Sequence, residues 1–243
     1  MKKLIVLFCL IFISIASFSQ TLRMATYNLR FDNPGDSLNA WKYRHAYVSD
    51  LIQLYDFDIF GTQEGLKHQL EDVKNELKVY NYFGVGREDG KDQGEHSAIF
   101  YKSGKYQVVG QGNFWISPDT DKPNKGWDAA CIRICTWGEF KELATGKQFF
   151  VFNVHLDHRG ETARFEGVKL LLTKILEIAG KKPCILTGDF NFDDTHKGYA
   201  YLATSGFLED AYLKTSVRFA PGDSFNGFRI RTEGNSRIDH IFV

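Results

Sequence analysis

The chain of 243 residues lacks the features that mark several classes of protein. Its 30 basic and 30 acidic side chains give a formal net charge of zero, which argues against a nucleic-acid binder that relies on overall positive charge. It has only 5 prolines and 22 glycines and no internal period, which excludes a collagen or a repeat protein. With 43% apolar residues it is too hydrophobic to be disordered and long enough to build one well-packed domain.

Long apolar runs are also missing, apart from one at the N terminus. Two lysines precede this run, which covers residues 4–15, and Ser17-Phe18-Ser19 follows it as a small-x-small cleavage site. The pattern predicts a secretory signal peptide over residues 1–19, a secreted or periplasmic protein, and one domain over residues 20–243. The run is shorter than the ~20 residues that cross a bilayer, so we expect no stable membrane span. A retained anchor is the alternative.

Cysteine is scarce as well. Cys9 lies in the predicted signal peptide, which leaves Cys131, Cys135 and Cys184. We predict that Cys131 and Cys135 share one face of one strand, about 13 Å apart, which is too far for a disulfide. No C-x-x-C pair is present to bind zinc. We therefore expect all three to be small, buried apolar side chains.

The hydrophobic pattern predicts strands that are joined both by hairpins and by helices. Apolar residues at helical spacing predict helices over residues 41–55, 66–77 and 168–178, with Gly180 as the C-cap of the last. This mixture favours two stacked mixed sheets with helices outside them rather than a single parallel sheet. The predicted strands cover residues 22–27, 58–62, 97–101, 106–116, 129–140, 148–156, 183–187 and 237–243.

Polar side chains interrupt four of these strands at the point where each strand ends. They are Asn28, Glu64, His155 and, after the strand over residues 183–187, Asp189 with Asn191. Each alone is more often a turn or cap residue. If the strand ends meet, they form an oxygen-rich site with one histidine, which favours Mg²⁺ or Mn²⁺ over zinc. Such a site implies metal-assisted hydrolysis of a phosphate ester.

In these segments the chain resembles the endonuclease/exonuclease/phosphatase superfamily, which includes deoxyribonuclease-I-like nucleases, neutral sphingomyelinases and inositol-polyphosphate 5-phosphatases. Only the Gly-Asp-Phe-Asn run is fairly specific by itself, whereas the joint order of the segments is strongly specific. Asn33-Pro34-Gly35-Asp36 and the Gly126 to Ala130 run are similar to secreted members from Bacteroidetes-type bacteria. The matching segments are Met24-Ala25-Thr26-Tyr27-Asn28, Gly61-Thr62-Gln63-Glu64, Asn153-Val154-His155-Leu156, Gly188-Asp189-Phe190-Asn191 and Arg237-Ile238-Asp239-His240-Ile241-Phe242.

The resemblance implies an α/β fold, a four-layer α/β/β/α sandwich of two mixed sheets flanked by helices. It also implies roles for the strand-end residues. Glu64 would bind the catalytic Mg²⁺ (or Mn²⁺), with Asn28 beside it as a further metal residue. His155 would hydrogen-bond a phosphate oxygen or assist the leaving group. Asp189 and Asn191 would position the attacking water and the scissile phosphate.

Further residues are assigned to the neighbourhood of this site. By the same resemblance, Asp239 would bind the metal or orient one of its ligands, and Glu95 would support the catalytic histidine. His240 alternates with Asp239 along the last strand, so we expect it to point away from the site. As substrate-binding residues we predict Trp127 and Arg164, the latter because it lies near a helix N-terminus, which favours anions.

One family motif is missing from the sequence. Members normally carry a Ser-Asp-His run after the Arg-Ile-Asp segment, and this chain stops at Val243 without one. We expect the sequence to be a fragment, with a naturally short form as the alternative. We also expect the 243-residue chain by itself to be nearly inactive and poorly stable, since a catalytic histidine and a strand would be absent.

Three functions stay open on the sequence. The first is a secreted Mg²⁺-dependent phosphodiesterase or nuclease, in which metal-activated water attacks a phosphate ester and nucleic acid is a candidate substrate. The second is a phosphomonoesterase that acts on a phosphosugar or a lipid headgroup. The third is a binding module that keeps the fold without catalysis. We prefer the first and expect a monomer, since the sequence gives no sign of oligomerisation.

Overall fold

The computed structural model describes residues 21–219, 222–229 and 237–243, so the signal peptide predicted over residues 1–19 lies outside the described residues. None of the helices in these three ranges has the length and apolar character to cross a membrane. Their elements are β1 (Met24–Asn28), a 3₁₀ helix (Pro34–Asn39), α1 (Trp41–Tyr55), β2 (Ile59–Gln63), α2 (Lys67–Glu76), β3 (Tyr80–Phe83), β4 (Ile99–Lys102), β5 (Tyr106–Trp115), β6 (Ile134–Glu142), β7 (Gln148–His155), α3 (Glu161–Ala179), β8 (Cys184–Asp189), α4 (Lys197–Ala203), α5 (Ala211–Lys214) and β9 (Asp239–Phe242).

The strands form two sheets, with orders β1-β2-β4-β3 and β5-β6-β7-β8-β9. Each sheet is mixed, because β1 runs parallel to β2, and β7 parallel to β8, while the other pairs are antiparallel. Apolar side chains of α1 and α2 pack on one face of the first sheet, and those of α3 and α4 on one face of the second. A third cluster, which includes Ile59 and Val151, lies between the sheets. The four-layer α/β/β/α sandwich is therefore confirmed.

Several predicted boundaries need correction. The helix predicted from residue 168 begins at Glu161, and the strand predicted from residue 129 begins only at Ile134. Cys131 consequently lies in a loop and not on the strand of Cys135, so the prediction that they share a strand face was wrong. All three described cysteines are unpaired, and Cys131 is only partly buried. The short strand β3 and the helices α4 and α5 were not predicted.

A buried amide joins the two sheets. Asn153, on β7, donates from Nδ2 to the carbonyl oxygens of Thr62 and Ala98, at 2.9 Å each. Its Oδ1 accepts a hydrogen bond of 2.7 Å from Gln63 Nε2 on β2. All of these groups are buried, so each must find a partner inside the protein. Asn153 therefore fixes where the second sheet lies on the first.

A glycine makes this contact possible. A Cβ placed on Gly61 would lie 2.3 Å from Asn153 Oδ1 and 2.6 Å from Thr187 Oγ1. We expect Gly61→Ala to lower the free energy of unfolding by about 1–3 kcal/mol, because the methyl group would push the sheets apart. Urea denaturation measures this, with Gly104→Ala as the control, since a Cβ there meets nothing within 4 Å. Equal midpoints for both variants would contradict the role given to Gly61.

Candidate metal and phosphate site

The strand ends meet at one edge of the sandwich, and Asn28 connects them. Its Nδ2 donates to Glu64 Oε1 at 3.0 Å and to Asp189 Oδ2 at 2.8 Å. Its Oδ1 accepts the backbone N–H of Arg30 at 2.9 Å, which fixes the orientation of the amide. Asn28 therefore orients two carboxylates that come from different sheets. The role of Asn28 as a metal ligand stays a prediction, and its Oδ1 would have to bind the metal while it accepts the N–H of Arg30.

Three residues around the carboxylates have left-handed backbones. Arg30, Glu64 and Asn191 have φ angles of 56°, 62° and 53°. For residues other than glycine this conformation costs about 1–2 kcal/mol each. Such strain is often found at functional sites, where the surrounding structure holds a side chain in place. In Glu64 it places the carboxylate where the backbone N–H of Phe31 donates to Oε2 at 3.1 Å.

The imidazole of His155 is held by Asn191. Asn191 Nδ2 lies 3.0 Å from His155 Nε2 and donates to the carbonyl oxygen of Leu156 at 3.0 Å. Because an amide nitrogen can only donate, Nε2 is the acceptor and the ring carries its proton on Nδ1. Burial lowers the pKa of His155, and the nearby Arg133 cation lowers it further. The imidazole is therefore neutral at pH 7.

Glu95 lies on the other side of this ring. Its Oε2 is 3.8 Å from His155 Nδ1 and accepts a hydrogen bond of 2.7 Å from Arg87 Nη1. Burial raises the pKa of Glu95, although Arg87 opposes the shift. Arg133, which is only 4% exposed, lines a small cavity together with Glu95 and His155. The structure thus brings Glu95 next to His155, and its supporting role stays a prediction.

Two aspartates face each other across β8 and β9. Asp189 pairs with Asp239 in the antiparallel register, and the backbone N–H of Asn191 donates to Asp189 Oδ1 at 2.9 Å. Burial raises the pKa of both aspartates. The negative charge of Asp189 raises the pKa of Asp239 further, and the negative charge of Glu64 does the same for Asp189. Asp239 Oδ1 is buried without a hydrogen-bond partner among the residues described. A cation would relieve both the repulsion and the unmet acceptor.

The donor set fits such a cation. Ligand atoms of Glu64, His155 and Asp189 all lie within 4.8 Å of one another. Two carboxylates with no thiolate suit Mg²⁺ or Mn²⁺, while the imidazole stays beside them because His155 Nε2 already accepts from Asn191. A second group, formed by Cys131, Asp157 and His158, is less suited, because Asp157 is already surrounded by backbone N–H donors.

Of the two predicted substrate-binding residues, Arg164 lies on the helix that follows His155, and Trp127 lies on the loop that precedes β6. Arg164 donates from Nη2 to Glu161 at 2.8 Å and from Nη1 to the carbonyl oxygen of Asp157 at 3.2 Å. The N-terminus of α3 already holds an anion, since Asp128 accepts the backbone N–H of Ala163 at 2.6 Å. Phosphate binding by Arg164 stays a prediction. That prediction assumed free backbone N–H donors at the N-terminus of α3, where Asp128 already accepts the N–H of Ala163. Trp127 is exposed on the adjoining loop.

Asp157 is the important residue that the sequence did not indicate. Its carboxylate accepts four backbone N–H groups, from Ala130, Cys131, Arg159 and Gly160, at 3.1, 3.2, 3.0 and 2.7 Å. These groups belong to two loops, residues 116–133 and 156–160. In return, Asp128 of the first loop caps α3, the helix that follows the second loop. Each loop therefore holds the other in place. We call this arrangement the carboxylate clamp.

The last strand is anchored away from the site. Arg237 Nη2 forms an ion pair of 2.7 Å with the buried Asp210. His240 Nε2 bonds the carbonyl oxygen of Phe192 at 2.9 Å, so the prediction that His240 points away from the site is confirmed. Beyond β9, Glu209 and Val243 exchange two backbone hydrogen bonds, of 2.8 and 2.9 Å.

Residues 25–243 match the model of the Endonuclease/Exonuclease/phosphatase family. The chain belongs to this family. Its members are phosphoester hydrolases, phosphatases and nucleases among them, and they generally depend on a divalent metal. The family, and with it the class of reaction, therefore agrees with the resemblance seen in the sequence.

Solved structures and a curated relative place the chain within the family. It is 49% identical to the mannosyl-6-phosphatase of Bacteroides thetaiotaomicron, with a TM-score of 0.89 over 91% of this chain and 85% of that one. It is 42% identical to an endonuclease/exonuclease/phosphatase of Bacteroides vulgatus, with a TM-score of 0.85 and coverage of 91% and 86%. Human nocturnin is 28% identical over 222 residues, which cover 83% of this chain but only 48% of nocturnin. The chain thus spans about half the length of that relative.

Proposed function

We propose that the protein is a Mg²⁺-dependent phosphomonoesterase that acts on a phosphosugar. The observation that carries this proposal is the 49% identity with a mannosyl-6-phosphatase, over 91% of the chain. The sequence alone favoured a phosphodiesterase or nuclease, with the phosphosugar phosphatase as an alternative. Identity at this level over nearly the whole domain supports the alternative, and the zero net charge suits a small substrate better than a nucleic acid.

The site offers a preorganised set of polar groups for this chemistry. Glu64 and Asp189 would hold the cation, with Asp239 and His155 beside them. When bound, the cation supplies Lewis-acid stabilisation of the charge that develops on the phosphoryl oxygens. Asn28 keeps the two carboxylates in position before substrate arrives, and Asn191 does the same for the imidazole. Groups that are already oriented stabilise a transition state without a reorganisation cost.

The setting of the reaction is also part of the proposal. The basic and apolar start of the chain, with its small-x-small site, supports export through a signal peptide over residues 1–19. The mature protein, residues 20–243, would then act as a monomer outside the cytoplasm.

A substrate panel tests the reaction. We expect phosphate release from mannose 6-phosphate and p-nitrophenyl phosphate to exceed cleavage of bis-p-nitrophenyl phosphate and single-stranded DNA at least about tenfold in kcat/KM. EDTA should abolish it and Mg²⁺ restore it. Both the 243-residue chain and the product of its complete genomic reading frame should be assayed, because we expect the former to be slow.

Each other outcome points to another function. Equal or faster cleavage of the diester or the DNA would return the assignment to a phosphodiesterase or nuclease. Turnover that survives EDTA would contradict the metal. An absence of turnover on every substrate, with the complete product, would favour the binding module.

A further inference from the structure

The loop of residues 116–133, between β5 and β6, lies at the same edge of the sandwich as the metal and phosphate site. β6 begins where β7 ends, since Cys135 pairs with Val154, the residue before His155. Asp157, two residues beyond His155, accepts the backbone N–H groups of Ala130 and Cys131. This loop therefore lies against the segment that directly follows His155.

Trp127 lies in this loop, and its conformation is unusual. Its φ angle is 51°, a left-handed value that a bulky side chain rarely adopts. The residue is 38% exposed, and its side chain makes no hydrogen bond or ring contact with another described residue. Tryptophan has the largest apolar surface of any side chain and is normally packed. More than a third of this residue stays exposed and open to a ligand.

The residues on both sides of Trp127 hold it rigidly. A Cβ on Gly126 would lie 2.5 Å from the carbonyl oxygen of Ile116, so the chain is pressed against the start of the loop. On the other side, Asp128 is bonded to the N-terminus of α3 and lies so close to Gly160 that a Cβ there would be 2.6 Å from its Oδ1. The carboxylate clamp thus holds the backbone on both sides of Trp127 in place.

We infer that Trp127 is the stacking platform of a saccharide subsite, which receives the sugar ring while the phosphate lies at the metal site. This inference rests on the proposed function. The face of an aromatic ring is electronegative and attracts the C–H groups on one face of a pyranose. His158 and Arg159, both exposed on the facing loop, offer hydrogen-bonding groups for the hydroxyls. An aromatic wall with a few polar groups is what a neutral polar ring requires.

Binding without turnover tests the subsite directly. We would record saturation-transfer NMR spectra of mannose 6-phosphate with the full chain in EDTA. We expect transfer to the ring C–H protons of the sugar that is lost in Trp127→Ala and kept in Trp127→Phe. Tyr47→Ala, which removes an exposed aromatic from α1 on the opposite side of the sandwich, should leave it unchanged. Transfer that is absent from the unmodified chain, or unaffected in Trp127→Ala, would overturn the inference.

Kinetics supply the second measurement. For mannose 6-phosphate we expect Trp127→Ala to raise KM about tenfold with little change in kcat, because one stacked ring contributes about that factor. For ethyl phosphate, which has no sugar, both constants should stay as they are. Equal losses on the two substrates, or a fall in melting temperature, would mean a structural role and overturn the inference. Sugar-ring binding with no turnover by the product of the complete genomic reading frame would instead reject the proposed function and leave the subsite standing.

Discussion

A Glu64→Gln variant is expected to bind Mg²⁺ at least about 100-fold more weakly than the unmodified protein, and to release phosphate no faster than a blank without enzyme. Glutamine keeps the size of the side chain but removes the negative charge. It also brings an amide that can place a second N–H donor against Asn28 Nδ2, which now donates to Glu64 Oε1 at 3.0 Å. Titration calorimetry measures the affinity, and released inorganic phosphate measures the turnover.

The matched control is Glu76→Gln, the same chemical change on the exposed face of α2. It should alter neither the affinity nor the turnover. If Glu64→Gln bound Mg²⁺ as tightly as the unmodified protein, the cation would have to lie elsewhere and the role assigned to Glu64 would fail.

The largest effect on stability is expected at Asp157. Asp157→Asn should lower the free energy of unfolding by about 3 kcal/mol or more. The carboxylate accepts four backbone N–H groups and lies 3.4 Å from the buried Arg133 Nε. Asparagine offers one acceptor oxygen and turns an N–H₂ group towards those donors. Urea denaturation at pH 7 measures the loss.

The pH dependence of this difference identifies its cause. Burial alone would raise the pKa of Asp157, but the N–H donors of Gly160, Ala130, Arg159 and Cys131 outweigh it and hold the pKa well below its usual range. A carboxyl whose pKa is lowered on folding stabilises fully above its unfolded pKa of about 4, and the contribution is lost as the pH falls below that. The difference between the two proteins should therefore be largest near neutral pH and shrink in acid.

Asp194→Asn is the control, since Asp194 is exposed. It should change the free energy of unfolding by less than about 0.5 kcal/mol at any pH. If Asp157→Asn were as stable as the unmodified protein at pH 7, or if its deficit did not depend on pH, the carboxylate clamp would not be what holds the two loops.

The repeating elements of the fold could be predicted from local pattern. The spacing of Val48 and Ile52 predicts α1 with the bounds that the structure shows, because a helix of 15 residues carries a long periodic signal. β3 was missed because its four residues, Tyr80–Phe83, form an edge strand with no clear alternation. The strand predicted from residue 129 starts late because Asp157 takes the N–H groups of Ala130 and Cys131 that a ladder would need.

The site divides in the same way. Asn28, Glu64, His155 and Asp189 could be proposed together because polar residues at strand ends are visible in the sequence, and the structure brings them together. The contacts by which the carboxylate clamp joins the two loops could not be proposed, since they connect residues 26 to 35 positions apart and no local pattern marks them. The orientation of the Asn28 amide was hidden too, because it depends on a backbone N–H from the left-handed Arg30.

The amide bridge of Asn153 has a consequence for folding. Glu64 follows a strand of one sheet and Asp189 ends a strand of the other, so neither sheet alone contains the pair. A cation held by both carboxylates would bind only after the sheets have docked, and its binding would shift that equilibrium by mass action. Metal affinity would then measure how completely the two sheets have docked in their final arrangement, which the contacts of Asn153 with Thr62 and Ala98 define.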